Sequence, residues 1–290
     1  MGKITINICT ALLYILLIIP HVCATSQLTP ELRVLLSAPD IQVILQRKKL
    51  IVAMTKQDNV PFYMVDEKGK LIGYDVELAK SIAMMLGVNV EFNRNNETFD
   101  DVIYMVAKGN ADIGISKLSL TLGRAQVIRY TKPYIVLNKA LLINRISLKK
   151  HGSNQSLNHL FGNKGATIGS ITRSSYQEFT QGMFPNASVF TGQSWDKDII
   201  PKLLKGEILG AFRDELVVRT TLINIPSASI YLLAVIIQNE PDPIMMAVNQ
   251  KSDVLQQWLD LYLDYYHPKI TIEALIEKYK KYIYTNLGIK

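Results

Sequence analysis

Apolar positions recur along this chain at two alternating periods. Leu50-Ile51-Val52-Ala53-Met54 is a short unbroken apolar run behind a basic pair, which reads as a buried strand. Phe62-Tyr63-Met64-Val65 and Leu71-Ile72 flank Asp66-Glu67-Lys68-Gly69-Lys70, a pattern that predicts a turn between two short strands. Val76, Ala79, Ile82, Ala83 and Leu86 then fall at helical spacing. Asp75 is placed to cap that helix, and Gly87 to close it in the left-handed conformation. Residues 88–92 alternate like a strand, and residues 27–47 read as a helical lead-in broken at Pro30 and Pro39. Strands alternating with helices predict an α/β fold.

A weak internal echo runs through the pattern. Phe99 precedes a helical segment closed by Lys108-Gly109, followed by Ala111-Asp112-Ile113-Gly114-Ile115. Trp195 precedes a second one, closed by Lys205-Gly206 and followed by Ile208-Leu209-Gly210-Ala211-Phe212. The first strand runs into Ser116-Lys117-Leu118-Ser119 and the second into Arg213-Asp214-Glu215. Two α/β lobes presenting polar groups at strand carboxyl ends would place a ligand between them, although any two βα units share part of this likeness.

The N-terminus reads as an address. Lys3 is followed by an apolar run over residues 8–19, interrupted at Thr10, and Val22-Cys23-Ala24 offers small residues for cleavage. The run is short of the roughly 20 residues that span a bilayer, so export across the cytoplasmic membrane with cleavage near Ala24 is expected. Pro20-His21-Val22 makes Cys23 a poor lipid-attachment site. Cys9 and Cys23 both fall in this leader, so the mature chain is expected to carry no thiol nucleophile, zinc–thiolate site or disulfide. His151, His159 and His267 show no metal-ligand spacing, and neither a metal nor a cofactor is expected. The formal charge of +7 is spread along the chain without a basic run, which argues against a nucleic-acid partner.

Several motifs in order make the reading specific. Pro61-Phe62, Gly69 through Gly73-Tyr74-Asp75-Val76-Glu77-Leu78-Ala79, Gly109-Asn110-Ala111-Asp112-Ile113-Gly114-Ile115-Ser116, Leu118 through Arg124-Ala125 and Tyr130-Thr131-Lys132-Pro133-Tyr134 resemble the family 3 extracytoplasmic solute-binding proteins. The resemblance resumes at Ile168-Gly169, Ser174-Ser175-Tyr176 and the segment from Gly206 to Asp214. It covers the chain from about Lys48 onward. That family serves ABC uptake systems for amino acids.

The resemblance implies roles for particular residues. Arg124 stands at the carboxylate-binding position, where a planar guanidinium grips through two parallel bonds. Ser119 matches the residue that assists it, and Ser175, beside Ser174, matches a hydroxyl from the second lobe. Asp214 matches the acceptor of the ligand ammonium, and Phe99 the apolar residue against the ligand side chain. Taken singly, Arg124 and Asp214 also read as a surface charge and a helix start, and Phe99 as core. Three departures stand out. Asn59 replaces an aromatic that covers the ligand, with Tyr63 a candidate substitute. Lys117 replaces a small or amide residue, and Arg173 a glycine. Lys117, Arg173 and Arg213 together suggest a ligand with a second negative group, such as an acidic amino acid, unless they face solvent or neutralise Asp214.

The expected architecture is α/β, a two-lobed periplasmic binding-protein fold (type II) whose lobes are joined by two crossover strands. Its expected parts are a signal peptide over 1–24, a lead-in over 25–47, lobe 1 over 48–142, lobe 2 over 143–245 and a C-terminal part over 246–290 returning to lobe 1. Residues 138–144 and 244–249 are the crossover candidates. The expected function is capture of a small amino acid or related carboxylated solute by hinge closure, as a monomer, for delivery to the membrane permease of an ABC transporter. Two alternatives remain at this level. One is a dehydratase-like enzyme on the same fold using Asp214 or Glu215, the other a ligand-sensing module.

Overall fold

The computed structural model describes residues 29–151, 157–162, 166–225 and 228–285; the expected signal peptide, with Cys9 and Cys23, lies outside them. The described residues divide into two compact units, one ending at residue 36 and the other beginning at residue 37. The described part of the first holds the helix Pro30–Leu36, and the remaining described elements belong to the second.

Ten strands follow in chain order: β1 (Lys49–Thr55), β2 (Met64–Val65), β3 (Leu71–Ile72), β4 (Asn89–Asn96), β5 (Ile113–Ser119), β6 (Ile128–Asn144), β7 (Thr167–Ile171), β8 (Ser188–Gly192), β9 (Gly210–Asp214) and β10 (Leu232–Asn249). β2 and β3 form the hairpin anticipated around Asp66–Lys70. The other eight lie in the order β4-β1-β5-β10-β6-β9-β7-β8. At one end β4, β1 and β5 are parallel, and at the other β9, β7 and β8 are parallel. Each parallel set needs helical crossovers, and these cover its faces. β6 and β10 are 17 and 18 residues long and run antiparallel to each other through both sets, so they tie two lobes together.

The crossing point is legible in the register. Ile236 pairs with Ala140 and Pro241 with Asn138, so Ile237, Gln238, Asn239 and Glu240 face Lys139 alone. This large bulge bends β10. Asn239 sits there at φ 61°, in the left-handed region that asparagine tolerates better than most residues. Residues 138–144 do lead into the second lobe, pairing with β9. Residues 244–249 do not form the second crossover, because Ile244, Met245, Ala247 and Val248 already pair with β5. The crossing lies a few residues earlier, where the bulge interrupts the ladder.

The internal echo is structural. Helix Phe99–Ala107 ends at Gly109 (φ 74°) and feeds β5; helix Ile200–Lys205 ends at Gly206 (φ 72°) and leads to β9. One difference is that Trp195–Ile199 forms a π-helical turn ahead of the second helix, with the Trp195 indole N–H donating to Thr221 Oγ1 at 2.8 Å. Alternation along β6 gives the second lobe two cores: Ala140 and Leu142 pack with Ile199, Leu203 and Ala211, while Leu141 and Ile143 pack with Phe161, Ile168 and Phe212. In the first lobe Ala53, Val102, Val106, Leu118 and Ala247 share one cluster.

Asp75 does not cap its helix. The helix Tyr74–Leu86 starts from Gly73, without a side-chain cap, and Asp75 is its second residue, fully buried in the first turn. Its carboxylate has a longer-range task described below. The expected Gly87 terminus is present, at φ 73°.

Candidate functional site

The topology fixes where the site lies. β5 ends at Ser119, which pairs with Ile244, and β9 ends at Asp214, which pairs with Lys139. Both strands therefore stop at the crossing from opposite sides. Ile244 pairs in turn with Ile135, four positions from Lys139 along β6, so the strand ends are offset by about 13 Å along the strand direction at the usual rise per residue. Ligands of open α/β sheets bind beyond such carboxyl ends.

A small pocket fills this gap. From the first lobe come Asn59, Phe99, Lys117, Ser119 and Arg124; from the second, Ser174, Ser175, Tyr176, Arg213 and Asp214. Of the candidates named from the sequence, Asn59, Phe99, Lys117, Ser119, Arg124, Ser174, Ser175, Arg213 and Asp214 line it, whereas Tyr63 and Arg173 do not. Its volume is about 10 Å³, no more than a single water needs. Asn59, Phe99 and Arg213 also border an adjoining cleft of about 670 Å³, within the usual range for small-solute sites.

Arg124 lies on the short helix Leu122–Ala125, capped by Thr121. Its Nε and Nη2 both donate to Asp100 Oδ1, at 3.1 and 3.0 Å, and the residue is buried. Asp100 follows Phe99 on a helix fixed by a reciprocal capping box between Thr98 and Asp101. Phe99 itself is half-buried and packs against a core cluster of each lobe, so the core and site readings both describe it. Ser119 Oγ donates to Asp242 Oδ2 at 3.0 Å. Ser174 is the N-cap residue of helix Ser175–Met183, and its hydroxyl donates to the Ile171 carbonyl at 2.6 Å. Ser175 opens that helix.

Asp214 is engaged on both oxygens. Oδ1 accepts from Val217 N–H at 3.1 Å, capping helix Glu215–Asn224, and Oδ2 accepts from Lys117 Nζ at 2.6 Å. The Lys117 and Asp214 side chains are 3% and 1% exposed, which makes this a buried ion pair between the lobes. Burial alone would raise the Asp214 carboxyl, but Lys117 and then Arg213 hold it below the usual range. Burial also pulls Lys117 down, against the attraction of Asp214. Lys117 Nζ stands 5.0 Å over the Phe62 ring.

The other departures resolve in the same way. Arg213 packs its guanidinium between Tyr176 and Trp195, each about 5.8 Å away, with Nε 3.8 Å from Asp214 Oδ2. Arg173 is exposed and reaches across to Asp101 Oδ1 at 3.1 Å; its φ of 52° is the geometry a glycine would adopt freely. Tyr63 is fully buried, its hydroxyl held between Thr55 Oγ1 at 2.6 Å and Ser116 Oγ at 2.9 Å, and it borders the larger cleft rather than the small pocket.

Three residues outside the sequence-based set hold the site in shape. Asp75 Oδ2 accepts from Lys117 N–H at 2.8 Å and Oδ1 from the Tyr134 hydroxyl at 2.9 Å. This fixes Lys117, whose φ of 48° is in the left-handed region. Burial pushes the Asp75 carboxyl up to about 7. Tyr176 donates to Asp242 Oδ2 at 2.6 Å, so Asp242, on β10, joins Ser119 of one lobe to Tyr176 of the other. Burial raises Asp242 to about 6. The available signals were an acid wedged between Pro241 and Pro243 at the head of an apolar run, and a tyrosine directly after Ser175.

The comparisons agree with this architecture. The family model for bacterial extracellular solute-binding proteins, family 3, matches residues 51–282. An arginine-binding periplasmic protein of Mannheimia haemolytica is 29% identical over 29% of this chain and 35% of its own length. The match thus spans about a third of that relative. A putative ABC transporter arginine-binding protein of Escherichia coli is 24% identical over 78% of this chain and 88% of its own. The crystal structure of an ancestral amino acid-binding protein, a precursor of cyclohexadienyl dehydratase, superposes with a TM-score of 0.68 at 21% identity, covering 83% of this chain and 99% of that one. At that identity the likeness speaks for the two-lobed fold alone. With the family model matched across both lobes, the chain belongs to the bacterial extracellular solute-binding proteins, family 3.

Proposed function

We propose that this protein captures a small amino acid or related carboxylated solute outside the cytoplasmic membrane, closes its lobes over it, and presents it to an ABC-type permease. The observation that carries this reading is the convergence of Arg124 and Ser119 from one lobe with Ser175 and Asp214 from the other on one pocket at the crossing strands. A carboxylate docking on Arg124 replaces or shares Asp100 as its partner, and Asp100, only half-buried, can release it at modest cost. Hinge motion at the β10 bulge then brings the second-lobe hydroxyls over the same group. The arginine-binding relatives support an amino-acid-like solute.

A specifically acidic amino acid draws no support from the extra cations, because Lys117 and Arg213 adjoin Asp214 and Arg173 pairs across the lobes with Asp101. The dehydratase-like alternative needs an acid aimed into the cleft. Asp214 is ion-paired, and Glu215 accepts from Asn138 Nδ2 at 3.1 Å and neighbours Arg219 at 3.7 Å.

Calorimetric titration with the common amino acids and their α-oxo and α-hydroxy counterparts tests the proposal. Arg124→Ala is expected to weaken binding by about 2–5 kcal/mol, the usual loss for one partner of a buried charge pair. Undiminished binding in that variant removes Arg124 from the site.

A further inference from the structure

We propose that the solute carries a carboxylate but no neighbouring ammonium, an α-oxo acid, α-hydroxy acid or other simple carboxylate, because Lys117 supplies the ammonium from within the chain. This rests on the reading that the cleft binds a carboxylated solute, and it narrows the class.

The acceptor that an incoming ammonium needs is Asp214, and it is occupied. Lys117 Nζ lies 2.6 Å from Oδ2, Val217 N–H is on Oδ1, and Arg213 Nε stands 3.8 Å behind. The lysine is built in. Its backbone N–H is pinned by Asp75, its backbone takes a left-handed conformation that is costly for a side-chain-bearing residue, and its head group rests over Phe62. An amino acid would have to expel Lys117 from Asp214, leaving a buried lysine beside Arg213 without its anion. Removing one partner from a buried pair in this way is strongly unfavourable. Asp242 does not replace it: Ser119 and Tyr176 hold its Oδ2, and although its buried Oδ1 has no hydrogen-bond partner, the residue does not line the pocket.

The remaining groups call for an anion. Lys117, Arg124 and Arg213 line the pocket against the single carboxylate of Asp214. With Asp100 counted as the existing partner of Arg124, the lining keeps one positive charge in excess, Asp242 lying outside it. Arg213 is 7% exposed, and its buried Nε has no hydrogen-bond partner. A buried guanidinium N–H without an acceptor is a rare and costly arrangement, and a carboxylate oxygen would satisfy it. One carboxylate between Arg124 and Arg213, with Lys117 left on Asp214, completes the pairing without stranding a charge.

The test compares matched pairs by calorimetry: glutamate, arginine and phenylalanine, each against its α-oxo acid, with succinate as a simple carboxylate. The native protein is expected to favour the oxo acid of at least one pair by roughly tenfold or more, the scale on which sites reject mismatched polar groups. Lys117→Met, which keeps the volume and removes the charge, is expected to reverse that preference. Equal or tighter binding of the amino acid by the native protein overturns the inference and leaves the clamp standing, and that comparison needs no variant to fold. Failure of every member of the panel to bind, or binding indifferent to Arg124→Ala, overturns the clamp itself.

Discussion

Asp75 shows how a residue's position in the sequence can hide its task. A carboxylate at the start of a helix reads as a cap, yet this one accepts from Lys117 N–H and Tyr134, partners 42 and 59 positions away. Its folded-state value of about 7 lies above the ordinary 3.8, so the native state holds the extra proton more tightly than the unfolded chain. The stabilisation is therefore complete below 3.8 and is lost as pH rises through about 7. Asp242, raised to about 6, acts in the same direction over a lower range. Asparagine reproduces the protonated form of Asp75, accepting from Lys117 and donating to Tyr134. Asp75→Asn is expected to flatten the fall in denaturation midpoint between pH 6 and 8 that the native protein shows as Asp75 ionises around 7. An unchanged slope excludes Asp75 as its source.

Elements set by local chemistry were legible in the chain. The turn at Asp66–Lys70, the glycine termini at Gly87, Gly109 and Gly206, and the paired helix–strand units all form where spacing and turn residues place them. The long crossing strands were only partly legible. Pro133, Pro241 and Pro243 interrupt their pattern; Pro133 and Pro241 sit at register shifts of the ladder, and Pro243 pairs in register with Val136. The π-turn at Trp195 depends on Thr221, 26 residues on, which no local pattern reports. Gly73 carries the sharpest element-scale constraint. At φ 127° it starts the helix Tyr74–Leu86, and a Cβ there would lie 2.3 Å from the Phe62 carbonyl oxygen. Backbone against backbone leaves nothing to give way. Gly73→Ala is expected to cost at least about 2 kcal/mol, read from a chemical denaturation midpoint, and to disturb the Phe62 ring that supports Lys117. A loss below about 0.5 kcal/mol would mean that the loop moves freely.

At the scale of the molecule, two lobes meet where strands of opposite origin end, and the site exists only because they do. The ordered motifs brought Arg124, Ser119, Ser175 and Asp214 into view one by one, and their convergence followed from the fold. What the chain alone left open was the pairing among them. Lys117 with Asp214 spans 97 positions and Tyr176 with Asp242 spans 66, and each contact joins the two lobes. Whether an extra cation near an acid recruits a ligand or neutralises its neighbour is decided by side-chain direction, which residue identity does not encode.

The most direct measurement is a crystal structure of the protein with the tightest-binding carboxylate of the titration panel. The account predicts one solute molecule touching both lobes, its carboxylate within about 3 Å of the Arg124 guanidinium and of a hydroxyl from the second lobe, the usual hydrogen-bond reach. A solute held by one lobe alone, or bound away from the crossing strands, contradicts it.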